Sequence, residues 1–168
     1  IHRGHRWRAF EYGVLNEMES VGGELNAYTT KEETVVYSIF PFGHLERASA
    51  LIAQLVAEAS FPVDEIERER EVVADEINSY LDVPSEALAD DFDDLIFAGS
   101  QLSHNILGSI ETLNSFTSDT CRNWLKEMFV PSRMTLFYLG ATDPDRVFDT
   151  LGRHFSALKT GTPDRLNR

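Results

Sequence analysis

Gly22-Gly23-Glu24-Leu25-Asn26-Ala27-Tyr28-Thr29-Thr30-Lys31-Glu32-Glu33-Thr34-Val35-Val36-Tyr37-Ser38 is the stretch on which the reading of this chain turns. The paired glycines end a helix, because glycine takes positive φ without a Cβ clash. Glu24 to Thr29 then alternates, with Leu25, Ala27 and Thr29 on one face and Glu24, Asn26 and Tyr28 on the other. Val35, Val36, Tyr37, Ile39 and Phe40 are β-branched or aromatic and predict a second strand. Thr30-Lys31-Glu32-Glu33 is a polar connection, so the simplest geometry is a hairpin.

Working outward, the chain has 168 residues, 42% apolar and 26% charged, which is an ordinary globular composition. A formal net charge of −13 argues against nucleic acid and anionic membrane surfaces as partners. No run of about 18 apolar residues occurs, so no membrane span is predicted. Cys121 is the single cysteine, which excludes an internal disulfide and a multi-cysteine zinc site. It fits a reducing compartment and is compatible with a periplasmic one.

Upstream of the glycines, Trp7, Phe10, Val14, Leu15 and Met18 predict a helix from Arg6 to Val21. His2 and His5 before it read as part of a solvated basic turn. Downstream, a helix over His44–Ser60 buries Leu45, Ala48, Leu51, Ile52, Leu55 and Val56, with His44 at the surface. Ser85–Phe97 carries apolar Leu88, Phe92, Leu95 and Ile96 opposite a solvated acidic face of Asp90, Asp91, Asp93 and Asp94. Thr117–Phe129 turns Cys121, Trp124, Leu125 and Met128 inward, and Thr135–Leu139 is a strand. Asp143 caps a last helix that buries Val147, Phe148, Leu151 and Phe155, with His154 at the edge of the core.

The helix over Asp64–Leu81 carries the chemistry. Asp64 and Glu67 have the spacing of a capping box, with Pro62 ahead of them. At about 100° per residue, Ile66, Val72, Val73, Ile77 and Tyr80 share one arc. Glu69 and Glu76 lie seven residues apart and fall inside that arc. A buried carboxylate is costly unless it is paired, hydrogen-bonded, protonated or bound to metal. Salt bridges to arginines and a functional site are both open from geometry alone.

Two segments carry a family resemblance. GGELNAYTTKEETVVY resembles the glycine-glycine-x-x-asparagine-alanine-x-threonine segment of the M16 metallopeptidases, the family of pitrilysin, insulin-degrading enzyme and mitochondrial processing peptidase. Ile66-Glu67-Arg68-Glu69-Arg70-Glu71-Val72-Val73-Ala74-Asp75-Glu76-Ile77 resembles their distal zinc-ligand helix. The loop Leu102–Gly108 and the entry Pro131-Ser132-Arg133-Met134 extend the likeness, with Asn105-Ile106-Leu107-Gly108 where many members have proline-leucine-glycine.

The resemblance implies an α+β fold, an antiparallel-rich sheet with helices packed on one face, incomplete at its N-terminus. Residues 1–159 would be a partial first M16 domain and 160–168 a polar tail or linker. It implies zinc, with Glu76 as a metal ligand and Glu69 as an auxiliary catalytic acid. Glu24, Asn26, Ala27 and Tyr28 would hold a peptide substrate added as an edge strand. A second M16 domain or partner subunit would complete the site.

The family's histidine-x-x-glutamate-histidine motif, which supplies two zinc ligands and the general base, does not occur in residues 1–168. By the family's spacing it would fall just before Ile1, and the expectation is that these residues alone neither retain zinc nor hydrolyse peptides. Two functions stand: a fragment of a zinc endopeptidase that attacks peptide bonds with metal-activated water, or a non-catalytic M16-like subunit that binds peptides or completes a partner's site.

Overall fold

The computed structural model describes residues 12–158. His2, His5, the predicted start of the first helix and the predicted tail lie outside the described residues. The chain divides into two compact units. One combines Ala27–Val35 with Phe61–Ser118, and the other combines residues 12–26, 36–60 and 119–158.

The second unit is built around Met18. Helix α1 (Tyr12–Glu19) ends there, and Met18 is fully buried against Leu25, Ala48 and Leu51. The backbone closes tightly after it: Val21 N and Gly23 N both donate to the Met18 carbonyl, at 3.1 and 2.9 Å. Gly22 has φ +74°, which a side chain would resist. A Cβ on Gly23 would sit 2.8 Å from Met18 Cε and 2.9 Å from the Ile39 carbonyl. The two glycines therefore serve different needs, one conformational and one steric.

Strands β1 (Glu24–Thr29) and β2 (Thr34–Ile39) form the predicted hairpin, a two-stranded antiparallel pair. Leu25 and Ala27 are buried while Glu24 and Tyr28 are exposed, as the alternation requires. The polar tip is held by Thr30, whose N–H donates to the Glu33 carbonyl and whose hydroxyl accepts from Glu32 N and Glu33 N.

Helix α2 (Leu45–Ala57) buries Leu45, Ala48, Leu51, Ala53 and Val56. Arg47 donates to the Glu17 carbonyl at 2.9 Å, tying α2 to α1. Helix α7 (Pro144–Phe155) packs on α2, and Asp143 caps it by accepting from Asp145 N and Arg146 N. Its buried face is Val147 and Thr150. Phe148, expected inside, is 75% exposed, because the helix is rotated to seat Val147 and Thr150 instead.

The first unit contains α3 (Val63–Leu81), α4 (Pro84–Ile96) and the short α5 (Ile110–Ser115). The Asp64 capping box does not form. Pro62 is the cap in extended backbone, so Asp64 already lies inside the first turn. A true box forms at α5 instead, where Ser109 and Thr112 exchange side-chain and backbone hydrogen bonds. Helix α6 (Ser118–Met128) follows. Cys121 and Leu125 are half-buried, but Trp124 and Met128 are exposed. Trp124 meets Phe129 edge-to-face at 5.7 Å.

The strand expected at Thr135–Leu139 is absent among the described residues, and Phe137 and Leu139 stand 85% and 87% exposed. Apolar composition favours extended backbone, but a strand exists only with a ladder partner. The class is α+β. No helix among the described residues is long and apolar enough to cross a membrane.

Candidate functional site

Helix α3 carries the two acids singled out by sequence. Its buried stripe is Ile66, Arg70, Val73, Ile77 and Tyr80, of which Ile77 is buried and the others half-buried. This corrects the predicted arc. Arg70 takes an inner position and Val72, 40% exposed, leaves it. The Arg70 stem packs inward while its guanidinium donates to Glu67 at 2.6 Å and to the Phe116 carbonyl at 2.8 Å. Glu65, Glu69, Val72 and Glu76 consequently share the adjoining stripe. Glu69 is half-buried and Glu76 is exposed, rather than both lying inside the apolar arc.

The acidic first turn of α3 is paired within the helix. Arg68 bridges Glu65 at 2.6 Å and Asp64 at 3.9 Å. At the helix's other end, the Tyr80 hydroxyl donates to Asp90 of α4. Lys31, at the hairpin tip, donates to Asp93 at 3.0 Å and lies 4.0 Å from Asp90. This ammonium side chain is only 14% exposed, so its carboxylate partners are what make its position tolerable. Sequence reasoning missed this cluster. Its one signal was a lysine in a hairpin tip of a chain whose acids gather in Asp90-Asp91-Phe92-Asp93-Asp94.

On β1, Asn26 Nδ2 donates to the Glu24 carboxylate at 3.2 Å, and the Ser38 hydroxyl donates to the Glu24 carbonyl at 2.7 Å. Glu24 and Tyr28 are exposed and Asn26 half-buried on the face opposite buried Leu25 and Ala27. The first unit holds Ala27, Tyr28, Glu69 and Glu76, while Glu24 and Asn26 belong to the second. Cys121 is no candidate nucleophile, since burial pushes its thiol pKa up, away from thiolate.

A carboxylate such as Glu76 is a suitable zinc donor, but a catalytic zinc takes three protein ligands plus water. Among the described residues no three His, Cys, Asp or Glu side chains converge as a metal-holding group. A zinc site that includes Glu76 would draw its other ligands from outside the described residues.

The sequence pattern of the Insulinase family, Peptidase family M16, matches residues 8–109. The chain belongs to this family. It is 31% identical over 144 residues to an uncharacterised zinc protease of Mycobacterium leprae, an alignment covering 86% of this chain and 32% of that relative. The M16 chain thus spans about a third of such a relative's length. Its fold is shared with a protease from Helicobacter pylori, with a TM-score of 0.83 and 19% identity over 98% of this chain and 40% of that one. It is also shared with an M16 domain from Pseudomonas fluorescens described as inactive, with a TM-score of 0.70 and 13% identity over 88% and 36% of the two chains.

Proposed function

We propose that this M16 chain is part of a zinc-dependent endopeptidase. Glu76 serves as one carboxylate ligand of the metal, and Glu69, about two helical turns away on the same stripe of α3, serves as an auxiliary catalytic acid. Glu24, Asn26, Ala27 and Tyr28 on β1 hold an extended peptide substrate. A histidine-x-x-glutamate-histidine motif supplies the other two zinc ligands and the general base, a second M16 domain or partner subunit adds further groups to the site, and the 168 residues alone do not hydrolyse peptides. The observation carrying this reading is the pair Glu69 and Glu76. They lie seven residues apart on the flank of α3's buried stripe, in a chain of a peptidase family whose relatives are named zinc proteases. A carboxylate that is exposed and adjacent to a packed face can be rigid and still reach a ligand.

The test uses the full-length protein. Metal analysis should find about one zinc per chain, as a single three-ligand site requires, and Glu76→Gln should abolish both zinc retention and proteolysis. Asn26→Ala should raise KM more than it lowers kcat. Full activity in the Glu76 variant would remove the assignment. A second reading, a non-catalytic M16 subunit that binds peptides, rests on the separability of fold and activity, of which the Pseudomonas domain is an instance. A full-length protein that binds peptides but neither holds zinc nor cleaves them decides for it.

A further inference from the structure

Lys31 sits at a hairpin tip, where a lysine reaches water most easily, yet its side chain is only 14% exposed. It is turned onto α4, donating to Asp93 at 3.0 Å and lying 4.0 Å from Asp90. A packed ion pair adds little stability over an apolar contact of the same size, and its best-attested use is to fix one register.

The contacts of Lys31 lead to both halves of the candidate site. Toward β1 the tip is braced. Thr30 N–H donates to the Glu33 carbonyl, and the Thr30 hydroxyl accepts from Glu32 N and Glu33 N. The Thr29 and Thr34 hydroxyls meet across the two strands at 3.3 Å. Lys31 therefore anchors a stiff hairpin end, three residues beyond Tyr28. Toward α3, Asp90 accepts from the Tyr80 hydroxyl, and Tyr80 stands about one helical turn after Glu76. Helix α4 follows α3 after only Asp82 and Val83, and Val83 N donates to the Tyr80 carbonyl at 3.0 Å. Tyr80 thus pins α4 at its start and at its middle. All these residues, with Ala27, Tyr28, Glu69 and Glu76, belong to the first unit.

We infer that Lys31 is a positioning residue for peptide hydrolysis, which through Asp93, Asp90 and Tyr80 sets the peptide-holding strand β1 at a fixed distance from Glu76 on α3. The assignment rests on the peptidase reading given above. Backbone pairing along β1 supplies affinity for the peptide, and Glu76 keeps its own place on α3. Lys31 acts on the alignment of the two, and a small misplacement of a bound reactant is costly to the chemical step. Its loss is therefore felt in kcat, whereas that of Asn26 is felt in KM.

The full-length protein is used throughout, with zinc measured per chain and kcat expressed per bound zinc, so that unfolded molecules do not count. The substrate is a fluorogenic peptide built on a sequence that the unaltered protein cleaves in a proteome-derived peptide library. Lys31→Met should lower kcat about tenfold to a hundredfold, with KM changed less than about threefold and zinc content unchanged. Lys31→Arg, which keeps the cation, should recover most of kcat. Tyr80→Phe should lower kcat in the same sense. The double variant Lys31→Met with Tyr80→Phe should be no slower than Lys31→Met alone, because both changes break one linkage. An unchanged kcat in Lys31→Met or in Tyr80→Phe, or losses that multiply in the double variant, would overturn the positioning role and leave the peptidase reading intact. A raised KM with kcat unchanged would place Lys31 in peptide binding, and lost zinc would place it in the folding of the metal site; either overturns the positioning role. An unaltered protein that holds no zinc, or cleaves nothing in the library, would remove the peptidase reading and this assignment with it.

Discussion

Helices α2 and α4 are each thirteen residues long, and each carries a clear apolar stripe. In α2 the stripe is the core: Leu45, Ala48, Leu51 and Val56 are all nearly inaccessible. In α4 the corresponding residues are among the most exposed apolar side chains of the described chain, and the polar side is the one that packs. Periodicity identifies the face a helix must cover but not the element that covers it. In α2 the cover is local in the chain, since Met18 and Leu25 come just before it. In α4 the inward face is decided by Lys31 and Tyr80, two polar groups that an acidic run can satisfy and an apolar stripe cannot.

The largest effect that can break this comparison comes from truncating one leucine in each helix. Leu51→Ala, at a site 4% exposed, should cost about 2–5 kcal/mol of unfolding free energy through lost burial and the cavity left behind. Leu95→Ala, at a site 79% exposed, should stay within about 0.5 kcal/mol. Urea denaturation of both variants measures the difference. Equal destabilisation would mean that Leu95 is packed in solution and that α4 is not inverted.

Much of this was legible from the residues. The hairpin, its facing, its tip and the Asp143 cap follow from alternation and turn chemistry, which act within a few residues. The orientation of α4, the rotation of α3 around Arg70 and the absence of a strand at Thr135–Leu139 among the described residues were not legible. The first two depend on partners distant in sequence: Lys31 lies 62 residues from Asp93, and Arg70 lies 46 from Phe116. The candidate site divides in the same way. Glu69 and Glu76 could be picked out as acids against a pattern, but their accessibility depended on Arg70 replacing Val72 in the buried stripe.

Lys31 offers the next largest effect. Lys31→Met keeps a long stem and removes the charge that meets Asp93 and Asp90. Two half-buried carboxylates would then face each other without their cation, and the expected cost is about 1–3 kcal/mol. The variant should also loosen α4, seen as faster amide exchange over Pro84–Ile96 than over Leu45–Ala57. Unchanged protection of α4 would show that the inward acids are not what orients it.

The smallest effect concerns the polar edge of the α2 and α7 pair. Arg153 grips Glu46 with two hydrogen bonds, at 3.1 and 2.8 Å, and the His154 ring nitrogen lies 2.7 Å from the same carboxylate. The Arg153 hydrogen bonds foremost, then that of His154, hold the Glu46 pKa below its ordinary value. A carboxylate with a depressed folded-state pKa binds its proton more weakly folded than unfolded. Its stabilisation is therefore complete above the ordinary glutamate pKa and disappears as pH falls through the lowered one. Glu46 is exposed, so solvent screens the pair and the effect is small. Denaturation midpoints of the unaltered chain and of Glu46→Gln should differ slightly at neutral pH and converge on acidification. Raised salt should shrink the neutral-pH difference. A difference that persists below the carboxylate range would assign Glu46's contribution to packing on α2 rather than to charge. The polar rim of α2 would then be as indifferent to ionisation as its core, whereas the inward face of α4 depends on ionised carboxylates.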